Sequence, residues 1–181
     1  MKIAVLGWGS LVPKPEDLPL NGKWQPGGPV LKIEFSRISS DGRLTLVIDP
    51  QGTAVETHYA ESARKKLDDA VCDLRIREKT TDNNVGKCGK DRSHNSSEKH
   101  PEVLPIVQAW LDQTQFDAAI WTDLDSNYTK KRGRSFEESD AFAYLRSLPS
   151  ICQANARNYI IQAPEKTQTR FRRYLQSKGW L

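Results

Sequence analysis

The sequence lacks a long apolar run. The apolar run near the N-terminus, Ile3 to Leu6, ends at Gly7, and Pro13 follows soon after. A membrane-spanning helix needs about 20 apolar residues, and a signal peptide needs an apolar core of about 7–15 residues before its cleavage site. Neither pattern is present, so we expect a cytoplasmic protein without membrane contacts.

Cysteine is also scarce. The cysteines number three and lie far apart, which argues against a disulfide framework and for a reducing compartment. Cys88, His94 and His100 share one polar segment, but no Cys-x-x-Cys pair accompanies them. Structural zinc sites use four ligands at tighter spacings, so we expect no metal site.

Basic residues are unevenly placed in a chain of 181 residues with a net charge of +4. From residue 151 onward, six basic residues accompany a single acid, Glu165. A basic C-terminal helix would let Arg170, Arg172 and Arg173 contact nucleic acid or an acidic protein. The alternative, which we favour, is a helix face exposed to solvent.

Strands dominate the first part of the sequence and helices the remainder. Lys2 to Leu6 reads as a buried strand, and residues 30–39 and 43–49 read as a hairpin turned at Asp41-Gly42. Helical spacing of apolar residues predicts helices near 61–77 and 101–112, and again after residue 136. This order predicts an α+β fold with a mixed or antiparallel sheet or a partly closed barrel.

Two segments read as loops, and two helix starts carry capping signals. Residues 13–29 are rich in proline and glycine, and residues 82–100 are polar, so we expect a loop and a mobile excursion. Ser135 with Glu138 resembles a capping box, and Ser150 with Gln153 resembles another. A last basic helix is expected over 167–178. We treat 1–181 as a single domain, with 136–181 as a helical extension packed on it.

A glycine-containing turn follows the first strand: Gly7-Trp8-Gly9-Ser10-Leu11. A dinucleotide fingerprint needs a third glycine three residues after the second, and Val12 with Pro13 rules it out. Such a turn can instead present successive backbone N–H groups to an anion such as a carboxylate. The alternative is a tight turn in which Trp8 fills the core.

The turn resembles the Tyr-Gly-Ser/Thr-Leu signature of gamma-glutamylcyclotransferase-like domains, with Trp8 at the position of the usual Tyr. The segment from Leu74 to Glu78 is similar to that family's Leu-Asp-x-x-Glu-Gly segment, and Glu78 falls on its catalytic glutamate. Arg75 occupies the Asp position and Lys79 the Gly position. The resemblance covers about residues 1–80 and extends to Thr122, and the helices after Phe136 have no counterpart in it.

The resemblance implies an enzyme without cofactor that cleaves a gamma-glutamyl amide, releasing 5-oxoproline in a lyase or internal acyl-transferase reaction. Glu78 would be the general acid and base, and the turn would hold the substrate's carboxylate. Arg37 lies on the same face of its strand as Leu31, Ile33 and Phe35, so its side chain should point toward the core, and we expect it at the same site. The alternative is an arginine at the end of a strand whose side chain reaches solvent. The competing hypothesis is a non-catalytic binding protein on the same fold.

Overall fold

The computed structural model describes residues 1–181 and is built on a six-stranded mixed sheet. Its strands are β1 (Ile3–Gly7), β2 (Leu20–Ile38), β3 (Leu44–Ile48), β4 (Thr53–Ser62), β5 (Val85–Gly89) and β6 (Ala118–Thr122). The spatial order is β3-β2-β4-β1-β6-β5, and β1 runs parallel to β6 while the other neighbours are antiparallel. The edge strands β3 and β5 do not pair with each other, so the sheet is open. The alternative prediction of a partly closed barrel is therefore wrong.

Helices cover both faces of the sheet. They are α1 (Leu67–Glu78), α2 (Leu104–Asp112), α3 (Tyr128–Arg132), α4 (Glu138–Ser147), α5 (Ser150–Gln162) and α6 (Arg170–Ser177). Leu67, Ala70, Val71 and Leu74 of α1 pack on one face with Ile3 and Val5. Buried side chains of α2 and of α4 to α6 pack on the other face, in a larger core. Every helix is too short or too polar to span a bilayer.

Two segments predicted as loops contain strands. β2 begins at Leu20, inside the predicted loop 13–29, because register shifts let the strand pair with β4 despite its prolines and glycines. β5 lies inside the predicted excursion 82–100. Its Gly86 pairs with Trp121 and lies against the indole, so that a Cβ at Gly86 would be 2.1 Å from the ring. The tryptophan ring buries this strand, which therefore needs few apolar residues of its own.

The capping boxes expected for the later helices are absent. The N-cap of α4 is Glu137, which is extended and makes no side-chain capping bond. Phe136 packs against the rings of Tyr128 and Phe171, with ring centroids 5.1 and 5.7 Å apart, so this segment follows the core instead of starting a helix at Ser135. The N-cap of α5 is Pro149, also without a side-chain bond. α6 is shorter than predicted and is capped by Thr169.

A buried carboxylate ties α6 to the sheet. Glu34 of β2 accepts hydrogen bonds from the backbone N–H of Phe35 at 3.0 Å and that of Phe171 at 3.5 Å. Phe171 lies in the first turn of α6, where free N–H groups and the helix dipole favour an anion. Burial nonetheless raises the pKa of Glu34. The C-terminal helices are therefore joined to the sheet by polar as well as apolar contacts.

Candidate active site

The turn predicted to bind an anion lies at an edge of the sheet where two parallel strands end. β1 ends at Gly7 and β6 ends at Thr122, and Val5 pairs with Ile120. In open sheets the carboxyl ends of parallel strands form the usual ligand crevice. A chamber of about 290 Å³ opens there, and all the predicted site residues line it: Gly7, Trp8, Gly9, Ser10, Leu11, Arg37 and Glu78.

The turn leaves its backbone donors free. The carbonyl oxygens of Gly9 and Ser10 accept hydrogen bonds from Val12 and Lys14, at 3.1 and 3.0 Å. The N–H groups of Gly9, Ser10 and Leu11 donate to no other group of the chain. Successive free N–H groups beside a cavity form a site that favours an anion.

Gly7 of this turn is required for space, whereas a Cβ at Gly9 would make only ordinary contacts. Neither has a positive φ. A Cβ at Gly7 would lie 2.9 Å from the ring of Trp24, and a Cβ at Gly9 would lie 3.5 Å from the hydroxyl of Tyr159. Trp8 is buried in the larger core and also lines the chamber, so the two interpretations of this residue are compatible. Its carbonyl accepts a hydrogen bond from the Thr167 hydroxyl at 2.9 Å.

Glu78 is the last residue of α1 and faces the same chamber. Its Oε1 lies 2.7 Å from a guanidinium nitrogen of Arg77, and the side chains are only 19% and 10% exposed. Burial raises the pKa of Glu78, Arg77 opposes that effect, and Glu16 adds to it. Glu78 therefore forms an ion pair with its neighbour Arg77, and this is a buried pair at the chamber wall and not a surface contact.

Lys79 takes the backbone conformation of the glycine that it replaces. Its φ and ψ are 51° and 48°, and its N–H bonds back to the carbonyl of Ile76 at the end of α1. This left-handed position at a helix C-terminus normally selects glycine. The departure from the Leu-Asp-x-x-Glu-Gly pattern thus leaves the local backbone intact and Glu78 directed at the chamber.

Arginines line the chamber opposite Glu78. Arg37 follows an irregularity in the pairing of β2 with β3, and it donates to the backbone carbonyl of Asp125 at 2.7 Å. Arg43, at the start of β3, pairs with Asp41 at 2.7 Å. Both guanidinium groups are placed to attract a carboxylate ligand.

Sequence reasoning missed Arg43 and Tyr159. Arg43 lies next to the Asp41-Gly42 turn, opposite Ser39 in the hairpin, and no local pattern distinguishes it from an ordinary exposed arginine. Tyr159 comes from α5, so its place depends on how the C-terminal helices pack, which no local pattern predicts. Its ring lies edge-on to Phe35, at 6.3 Å, and beneath the Arg43 guanidinium, at 5.2 Å.

The chamber continues into an outer compartment of about 550 Å³. Ser10, Arg43, Glu78 and Tyr159 line both spaces, so Glu78 lies at their junction. The outer walls are almost entirely polar and include Asn155 and Asn158 of α5. Sites of this size bind small molecules.

The residues considered for metal and for macromolecules lie elsewhere. Cys88 is buried against Gln108, and His100 contacts Glu102, so no metal-ligand cluster forms. Arg172 is buried and donates to backbone carbonyls, including that of Pro164 at 2.7 Å. The prediction that Arg172 contacts a partner is therefore wrong, and Arg170 is paired with Glu138.

The fold and this site define an α+β protein with a cleft lined by unpaired backbone N–H groups, arginines and one buried carboxylate. Comparisons with protein-family models, with curated proteins and with solved structures found no match for the chain.

Proposed function

We propose that this protein is an enzyme of the gamma-glutamylcyclotransferase type, which cleaves a gamma-glutamyl amide or a related amine-bearing metabolite. The observation that carries the proposal is that the free N–H groups of the Gly9–Leu11 turn and the buried carboxyl group of Glu78 line one chamber. These groups come from segments far apart in the sequence, and each matches a motif of that family.

Each requirement of the reaction has a candidate group in the chamber. The N–H groups of the turn, with Arg37 and Arg43, would hold the substrate's α-carboxylate. Glu78 would accept a proton from the α-ammonium group. The freed amine would then attack the γ-carbonyl carbon and form the five-membered ring.

The same carboxyl group would complete the reaction. The γ-carbon–nitrogen bond of the amide breaks, Glu78 returns its proton to the leaving amine, and the ring nitrogen then gives its second excess proton to the same carboxylate. Because burial raises the pKa of Glu78, its proton affinity is closer to that of the groups that it must serve than an exposed glutamate's would be. Holding the curled conformer supplies much of the rate, because the attack is intramolecular.

The test is a screen of gamma-glutamyl amides for release of 5-oxoproline. We expect turnover by the wild-type protein and a loss of at least about 10²-fold in kcat for Glu78→Gln, since a general acid–base group contributes about 10²–10⁴-fold. Glu98→Gln, which removes an exposed carboxylate outside the chamber, is the matched control. Circular dichroism should show both variants folded.

Two results would contradict the proposal. Turnover retained by a folded Glu78→Gln variant would remove Glu78 from the mechanism. Absence of turnover by the wild-type protein across the panel would remove the proposed reaction.

A further inference from the structure

Tyr159 is held in one position at the junction of the two compartments. Phe35 packs edge-on against its ring at 6.3 Å, and the Arg43 guanidinium lies 5.2 Å from the ring centroid. Such aromatic and cation–π contacts fix the orientation of a ring. The hydroxyl group at its end is therefore placed by the core and not by solvent.

The hydroxyl of Tyr159 is satisfied as an acceptor but not as a donor. It lies 3.5 Å from the backbone N–H of Leu46, which donates to it. The Ser10 hydroxyl also interacts with it and lowers the pKa of Tyr159, and no backbone carbonyl or carboxylate of the chain accepts the tyrosine's own proton. A tyrosine hydroxyl carries one donor, so this donor is left for a molecule in the cleft.

That hydroxyl lines the same chamber as the Gly9–Leu11 turn and Glu78. A Cβ on Gly9 would lie 3.5 Å from it, so the hydroxyl adjoins the anion-binding turn. Burial raises the pKa of Tyr159, and the charge of Glu78 adds to this effect. The phenol therefore stays protonated, and thus a donor, at neutral pH.

We propose that the Tyr159 hydroxyl contacts the substrate and donates a hydrogen bond to the amide carbonyl oxygen as negative charge develops on it during amine attack. This inference rests on the proposed function. The amine nitrogen bonds to the carbonyl carbon, and the π electron pair of the C=O bond moves onto the oxygen. That pair re-forms the C=O bond when the bond to the leaving amine breaks. Tyr159 keeps its proton throughout.

The inference assigns a chemical role to the C-terminal helices. The turn and the arginines already serve the substrate's carboxylate, so a further neutral donor at the junction suits the carbonyl group. α5 would then supply part of the active site, although the resemblance to the family does not include the helices after Phe136.

The experiment compares Tyr159→Phe with Tyr144→Phe on a gamma-glutamyl amide that the wild-type protein turns over. Tyr144 is a matched control, because its hydroxyl donates to the carbonyl of Gly42 at 2.8 Å and so has a structural partner. We expect Tyr159→Phe to lower kcat about 10²-fold with little change in KM, as for loss of one oxyanion donor. Tyr144→Phe should lower the melting temperature and leave kcat unchanged.

A second measurement is independent of turnover. The chain has five tyrosines, so a ¹³C label at the tyrosine Cζ gives few signals, and the Tyr159→Phe variant assigns the relevant one. We expect 5-oxoproline to shift the Tyr159 signal and not that of Tyr144.

The outcomes separate the two proposals. Unchanged kcat in Tyr159→Phe, with an active wild-type protein, overturns the role of Tyr159 and leaves the proposed function intact. An inactive wild-type protein overturns the proposed function. The NMR experiment with 5-oxoproline then tests ligand contact by itself. A shift of the Tyr159 signal supports that contact, and an unmoved signal overturns it.

Discussion

Glu78 experiences opposing influences on its charge. Burial favours the protonated form, and Arg77, 2.7 Å away, favours the carboxylate. The net effect raises the pKa of Glu78 above 4.5, so burial outweighs the ion pair. Ionised glutamate at this position is therefore less favourable in the folded protein than in the unfolded chain.

This balance predicts a pH-dependent difference between wild type and Glu78→Gln. A group whose pKa is raised by folding contributes stability below its unfolded pKa, near 4.5, and loses that contribution as pH rises through the folded pKa. Glutamine does not titrate. The free energy of unfolding of the variant minus that of wild type should therefore increase from pH 4 to pH 8, by about 1.4 kcal/mol for each tenfold difference in proton affinity.

Urea unfolding of both proteins across that range measures the difference directly. Glu34, which also has a raised pKa, is present in both proteins and cancels. Parallel stability curves would show that Glu78 titrates normally, and the acid–base role would then lose its electrostatic basis.

At the scale of elements, local signals predicted helices in both halves of the chain, and the strands that they missed, β5 and the beginning of β2, both lie in the first half. β1, the β2–β3 hairpin and α1 follow their apolar periodicity, and both site motifs lie within or beside them. β5 was not predicted because it lacks the apolar alternation of a strand. The ring of Trp121 leaves no room for a side chain at position 86, which is therefore glycine. Tyr159 escaped because α5 has no sequence feature that indicates which strand it covers.

The joint between α5 and α6 is polar, and Arg172 holds it. Its guanidinium donates to the carbonyls of Pro164, Thr167 and Ala163, at 2.7, 3.1 and 3.2 Å. Ala163 is the C-cap residue of α5, where carbonyl groups lack helical partners. The side chain of Arg172 thus supplies hydrogen-bond donors to backbone carbonyls between the two helices.

We expect Arg172→Met to lower the free energy of unfolding by at least about 2 kcal/mol, because it leaves several buried carbonyls without donors. For a chain of this size that corresponds to a fall of about 4–8 °C in melting temperature. Arg173→Met is the control, since Arg173 is exposed and its side chain bonds only to the carbonyl of Gln168. Equal melting temperatures for the two variants would contradict the assignment of Arg172 as the joint.

At the scale of the whole molecule, the C-terminal segment completes a site that begins at the N-terminus. Thr167 is fully buried, and its hydroxyl bonds to the carbonyl of Trp8 at 2.9 Å, across 159 positions of sequence. The carbonyl of Thr167 in turn accepts from Arg172. The anion-binding turn, the α5–α6 joint and the sheet are therefore one connected polar network.

This connection predicts that Thr167→Val weakens substrate binding without touching substrate. Valine preserves the shape but leaves the Trp8 carbonyl unpaired, at a cost of about 1–3 kcal/mol in stability. The neighbouring N–H groups of Gly9 and Ser10 then lose their fixed direction, so we expect KM and the dissociation constant of 5-oxoproline to rise severalfold. Thr167→Ser, which keeps the hydroxyl, should bind 5-oxoproline like wild type. Isothermal titration of the variants measures this, and equal affinities would show that the turn holds its shape without the C-terminal segment.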